Sequence, residues 1–245
     1  MGSPDCRNSG SRRRCAPLWL FDLDNTLHNA THAIFPAINR NMHAYIAQVL
    51  GDGVTPADAA TVNRIRQEYY RRYGVTMLGM VRHHGVNAAE FLQEAHRFDD
   101  LPGMIRAERG LARLLRRLPG EKILLTNAPR QYAQQVLRHL GLQRHFSAQF
   151  AVEAMRVHGQ LQPKPSRRFL RKLVASHGIR AADCILVEDS MENLRAAKRE
   201  GLRTVWVTGY LASYHRKKSA ACVDVTVKSV SQLARRYRRP SSNQN

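Results

Sequence analysis

The chain has 245 residues, 43% of them hydrophobic, and a formal net charge of +20 from 39 Lys and Arg against 19 Asp and Glu. That length suits one large domain, or a domain with an insert. No apolar run approaches the ~20 residues of a membrane-spanning helix, so no membrane partner is expected.

The apolar run Ala16–Phe21 is short and leads into acids, which argues against a secretory signal. Cys6, Cys15, Cys184 and Cys222 lack metal-ligand spacing and read as free thiols of a cytoplasmic protein. Thirty-two of the 39 basic residues are Arg. Residues 1–15 carry four Arg and one Asp, and Arg235, Arg236, Arg238 and Arg239 cluster near the other end. No basic stripe interleaved with aromatics and no recognition helix stands out. The charge therefore reads as Arg-rich composition that attracts anionic substrates, and specific nucleic-acid binding is not expected.

Residues 1–16 lack periodicity and read as a disordered basic tail. The first strand is placed at Leu18–Asp22. Residues 28–100 contain no convincing strand. Ile34, Ile38, Met42, Tyr45, Ile46 and Val49 recur at helical spacing up to Gly51. Thr55-Pro56-Ala57-Asp58 reads as a helix start capped by Thr55, with Ile65, Tyr69 and Tyr73 on the inner face. A short helix is expected near Val75–His83. Asn87 opens another, with Val86 and Phe91 as a hydrophobic staple.

From Met104 helix and strand alternate. Helices are expected near Ile105–Leu118, Arg130–Leu140, Ser166–His177, Met191–Glu200 and Ser229–Arg236. Strands are expected at Lys122–Thr126, Gln149–Val152, Cys184–Glu188, Arg203–Val207 and Val223–Val227. Such alternation implies an α/β fold with a doubly wound, mostly parallel, Rossmann-like sheet. The expected division is a core of 17–27 and 101–236, a helical cap of 28–100, and a disordered tail of 237–245.

Three apolar strands end in polar residues, which places those residues at the edge where open α/β sheets bind ligands. Asp22 and Asp24, two apart on an extended segment, point to the same side. Asp22 suits a nucleophile that accepts a phosphoryl group, and Asp24 suits a general acid and base. A turn or capping pair is the other reading of an isolated Asp-x-Asp. Asp189 follows a buried strand and joins Asp22 as a carboxylate for Mg²⁺, with the Asp24 carbonyl as a further ligand. Glu188 and Asn193 read as outer-shell support. Thr126 and Asn127 offer neutral donors to a phosphoryl oxygen beside a helix start. Lys164, between Pro163 and Pro165, offsets charge on phosphate and on Asp22. Arg130 reads as solvent-exposed, and His28 and His32 as packing or surface residues at the border of the cavity.

Asp22-Leu23-Asp24-Asn25-Thr26, Thr126-Asn127, Lys164 and Glu188-Asp189, in that order after apolar strands, resemble the four motifs of the haloacid dehalogenase-like superfamily. The resemblance spans about Leu18 to Val227. It implies phosphotransfer through an aspartyl phosphate, because the second Asp is present. The segment from Phe21 to His28 and the helix from Ile34 are most similar to pyrimidine 5′-nucleotidases. That similarity implies a small phosphorylated metabolite as substrate, a pyrimidine nucleoside monophosphate, and a monomer or homodimer. Sugar-phosphate and phosphoglycolate phosphatases share the motifs, and a phosphomutase fits the same scaffold. A basic nucleic-acid-binding protein is the non-enzymatic alternative.

Overall fold

The computed structural model describes residues 16–211 and 221–237. Residues 1–15 and 238–245 of the two expected tails, with Cys6 and Cys15, lie outside the described residues.

Six strands form one parallel sheet. They are β1 (Leu18–Phe21), β2 (Lys122–Leu125), β3 (Ala148–Phe150), β6 (Cys184–Glu188), β7 (Arg203–Val207) and β8 (Val225–Val227), in the order β3-β2-β1-β6-β7-β8. A small antiparallel hairpin, β4 (Arg156–Val157) with β5 (Gln160–Leu161), stands apart. Both sheet faces are covered, so β1 is apolar at every position and its neighbours β2 and β6 are apolar except for Lys122 and Glu188 at their ends. Alternate residues serve opposite layers. Trp19, Phe21, Leu124, Ile185, Val187, Val205 and Val207 pack on one side. Leu18, Leu20, Ile123, Leu125, Cys184, Leu186 and Trp206 pack on the other.

The chain leaves β1 into four helices: α1 (Ile34–Leu50), α2 (Ala59–Tyr73), α3 (Thr76–His84) and α4 (Ala88–Ala95). They enclose their own core of Ile46, Val62, Tyr69, Met77, Met80 and Phe91. Gly79 permits the close approach of α3 to α2, since a Cβ there would sit 2.1 Å from the Tyr69 ring. Asn87 caps α4 as expected, accepting from the Ala89 and Glu90 amides, and Val86 and Phe91 are buried.

Two expectations shift. The cap of α2 is Asp58, not Thr55, because Asp58 accepts from the Ala60 and Thr61 amides while the Thr55 amide is taken by Asp52. Of the helix expected over Ile105–Leu118 only α6 (Leu111–Arg117) forms, and a separate short helix, α5 (Leu101–Met104), precedes it. Gly110 at φ 86° prevents a continuous helix, and the Arg106 carbonyl between the pieces accepts from the Asn29 amide at 2.7 Å.

The remaining helices cover the sheet: α7 (Arg130–His139), α8 (Arg167–Ser176), α9 (Met191–Arg199) and α10 (Leu233–Arg236). The strand order turns in opposite directions on the two sides of β1. The crevice at its carboxyl end is therefore a switch point of the kind that holds ligands.

Candidate active site

Asp22 follows β1 directly and is buried. Its Oδ1 accepts from Lys164 Nζ at 2.6 Å, and its Oδ2 accepts from the Thr26 hydroxyl at 3.0 Å. The turn that brings Thr26 back runs through Asn25 at φ 57°, a conformation Asn tolerates. The Asn25 side-chain Oδ1 fixes the turn by accepting from the amides of Ala30 and Thr31.

Lys164 is buried, and its Nζ also donates to Glu188 Oε2 at 2.7 Å. Burial alone would lower the lysine pKa. The charges and hydrogen bonds of Asp22 and Glu188 outweigh it and raise the value. Asn127 holds this lysine from behind. Its amide donates to the Lys164 carbonyl and its oxygen accepts from the Lys164 amide, both at 2.9 Å. The Asn127 side chain, expected to face a phosphoryl oxygen, thus also positions Lys164, with one amide hydrogen left to donate. Thr126 is buried at the end of β2 and accepts from the Ala128 amide at 3.1 Å, which leaves its own hydrogen to donate.

Asp22, Glu188 and Asp189 each place a carboxylate oxygen within 4.8 Å of the others. Glu188, expected behind the ligand sphere, stands as close as the two aspartates, and it also accepts from the Ser190 amide at 3.2 Å. Burial, the charge of Glu188 and, more weakly, that of Asp24 push the Asp22 pKa up to about 7, against the pull of Lys164. Burial and the charges of Glu188 and Asp22 raise Asp189 as well. One lysine cannot neutralise three crowded carboxylates. An oxygen-rich, under-compensated set of this kind suits a hard divalent cation such as Mg²⁺.

The Asp24 side chain is turned away from that cluster. Its Oδ1 accepts from the Tyr132 hydroxyl at 2.6 Å and meets His28 Nε2 at 3.0 Å. Its side chain is therefore not in the ligand cluster, and only its main-chain carbonyl is left for a metal. Burial would raise the Asp24 pKa, but the hydrogen bonds and charge of His28 and the Tyr132 bond hold it below the usual value. Sequence reasoning left Tyr132 out entirely and gave His28 a packing role. His28 is fully buried, and its Nδ1 has no hydrogen-bond partner among the described residues. Its position four residues after Asp24 was the available signal.

Asn193 lies one turn into α9, half-buried, and among the described residues makes no hydrogen bond to Glu188 or Asp189. The Arg130 side chain is exposed, and its amide donates to Glu153. His32 is exposed.

Residues 18–201 match the family model described as haloacid dehalogenase-like hydrolase. A protein described as a 5′-nucleotidase from Pseudomonas aeruginosa is 26% identical over 205 residues, covering 79% of this chain and 83% of the relative. The fold resembles a HAD phosphatase from Thermococcus onnurineus at TM-score 0.60 and 16% identity, covering 89% of this chain and 96% of that one. It also resembles CbbY from Rhodobacter sphaeroides, solved with phosphate, at TM-score 0.61 and 20% identity, with the same coverage.

Proposed function

The chain belongs to the haloacid dehalogenase-like hydrolase family, and on that premise we propose that it is a Mg²⁺-dependent phosphomonoesterase acting on small organic phosphates, a pyrimidine nucleoside monophosphate foremost. The observation that carries this reading is the pairing of two differently held acids. Asp22 sits with Lys164 in an acid-rich, metal-suited cluster, and Asp24 sits in a separate clamp made by Tyr132 and His28.

Mg²⁺ held by Asp22, Asp189 and the Asp24 carbonyl would offset the negative charge of the phosphoryl oxygens. Asp22 is the nucleophile: one of its carboxylate oxygens forms the bond to phosphorus as the bond from phosphorus to the ester oxygen breaks. Lys164 favours the ionised form of Asp22 and balances charge as the phosphoryl group is transferred. The Thr126 hydroxyl donates to a phosphoryl oxygen. Asp24 takes up a proton in the substrate complex, gives it to the leaving alkoxide, and regains one from the water that cleaves the aspartyl phosphate. Asn127 acts through the Lys164 main chain. The layer of α1–α4 is a cap that excludes bulk water and contacts the leaving group.

The nucleotide preference leans on the 26%-identical relative described as a 5′-nucleotidase. Phosphate release from nucleoside monophosphates, sugar phosphates and phosphoglycolate with Mg²⁺ tests it. Uridine or cytidine 5′-monophosphate is expected to be turned over fastest, and excess chelator is expected to stop turnover. Full activity in chelator, or no release from any ester, would remove the proposal.

A further inference from the structure

A cleft of about 980 Å³ runs between the cap and the core beside the lysine loop. Its cap wall is the end of α2 and one face of α3, and its core wall runs from β5 through Pro163 and Pro165. The walls meet at Gly74, whose φ is 77°. A Cβ at Gly74 would stand 3.1 Å from Pro165 Cδ and 3.4 Å from the Lys164 carbonyl oxygen. The cleft thus opens next to the residue whose amine holds Asp22.

Arg71, Arg72 and Arg82 line the cap wall and are exposed. Among the described residues none of them has a carboxylate within ion-pair distance, whereas Arg64, Arg97, Arg167, Arg171 and Arg180 each have one. Arg72 and Arg82 approach the same ring, with guanidinium carbons 5.3 and 5.8 Å from the Tyr73 centroid. His83 fixes that ring by a 2.7 Å hydrogen bond to its hydroxyl. Two like charges gathered around one aromatic ring repel each other, and a bound anion relieves the repulsion. Among the described residues the only acid on the cleft lining is Glu192, and it belongs to the Tyr70 end, where its charge acts on that phenol. The Tyr70-Arg71-Arg72-Tyr73 run in α2 is therefore a local interleaving of basic and aromatic residues, contrary to the expectation that the chain has none. A cleft of this volume lies at the upper end of small-ligand pockets, which run to about 1,000 Å³.

We propose that this cleft binds a second phosphate on the leaving group, so that a nucleotide bearing two phosphates binds more tightly than the corresponding monophosphate. The proposal rests on the phosphatase reading for its orientation. The terminal monoester faces Asp22, the second phosphate lies between Arg72 and Arg82, and an aromatic portion can lie against Tyr70 or Tyr73.

The test is calorimetric titration of the full chain carrying Asp22→Asn, with Mg²⁺ at low salt. The probes are uridine 5′-monophosphate, uridine 3′,5′-bisphosphate and 5′-phosphorylated diuridylate. At least one two-phosphate probe is expected to bind about tenfold tighter than the monophosphate, with an advantage that shrinks as salt screens the charges. Adding Arg72→Ala with Arg82→Ala is expected to bring the probes within about twofold of one another, and the corresponding Lys pair to restore most of the difference. Equal affinities in the parent, or an advantage that survives removal of both arginines, would overturn the proposal. Failure of the phosphatase reading would show separately, as no phosphate release from these esters by the unsubstituted chain.

Discussion

The Tyr132 hydroxyl donates a 2.6 Å hydrogen bond to Asp24 Oδ1 across 108 residues of sequence. With His28 Nε2 on the same oxygen, it aims the carboxylate proposed to carry the proton. Tyr132→Phe keeps the buried ring and removes only that donor. The variant is expected to lose about tenfold in kcat, a part of the 10²–10⁴ attributed to a general acid and base. KM is expected to stay within about twofold, because no phosphate contact is lost. Steady-state kinetics on any good substrate checks this. An unchanged kcat would remove Tyr132 from the proton-transfer machinery.

Lys164 is the only lysine within ion-pair distance of the buried carboxylates among the described residues. Lys164→Met preserves the bulk of the stem and leaves Asp22 and Glu188 uncompensated. Breaking a buried pair in this way costs about 3–5 kcal/mol. Urea unfolding in chelator is expected to show a loss of that order, with part of it recovered when Mg²⁺ is added.

Asp22 gives a pH dependence whose sign can be worked out. Its folded-state pKa is raised from 3.8 to about 7, mainly by burial and the charge of Glu188. Between those values the folded protein keeps a proton that the unfolded chain has released. Its contribution to stability therefore falls as pH rises through that window. In chelator, the thermal midpoint of Asp22→Asn minus that of the unsubstituted protein is expected to grow from about pH 4 to about pH 7. Mg²⁺ binds the deprotonated carboxylate and should flatten the trend. A difference that shrinks over this range in chelator would contradict the assignment.

Asn127 contributes through two hydrogen bonds to the Lys164 main chain. Asn127→Ala frees that segment. It is expected to cost about 1–3 kcal/mol of stability and to lower kcat/KM, whereas Asn127→Asp should keep the bond from the Lys164 amide and lose the one to its carbonyl. Comparing the two variants by denaturation and kinetics separates the contacts.

The sheet was legible because its central strands are buried on both faces and end abruptly in polar residues. Leu18–Phe21 and Cys184–Glu188 are continuous apolar runs of that kind up to their final turn. The clustering of Asp22, Lys164, Glu188 and Asp189 followed from strand order, since β1 and β6 are neighbours. The β4–β5 hairpin, two residues per strand, is too short for any periodicity to register. The break between α5 and α6 depends on a contact from Asn29, which local pattern does not contain. Tyr132 reads as one apolar position of an amphipathic helix, and only the crossing of α7 over the end of β1 gives its hydroxyl a partner. Asn127 looks like a phosphate donor in sequence because its contact with Lys164 spans 37 residues.

The most direct measurement is acid quenching of the Mg²⁺-loaded enzyme during turnover of a good phosphate ester, followed by peptide mass spectrometry. The peptide containing Asp22 should carry one added phosphoryl group, labile to hydroxylamine and missing from Asp22→Asn, which should also be nearly inactive. Phosphate release at the normal rate by Asp22→Asn, or a phosphoryl group found only on another residue, would contradict Asp22 as the nucleophile.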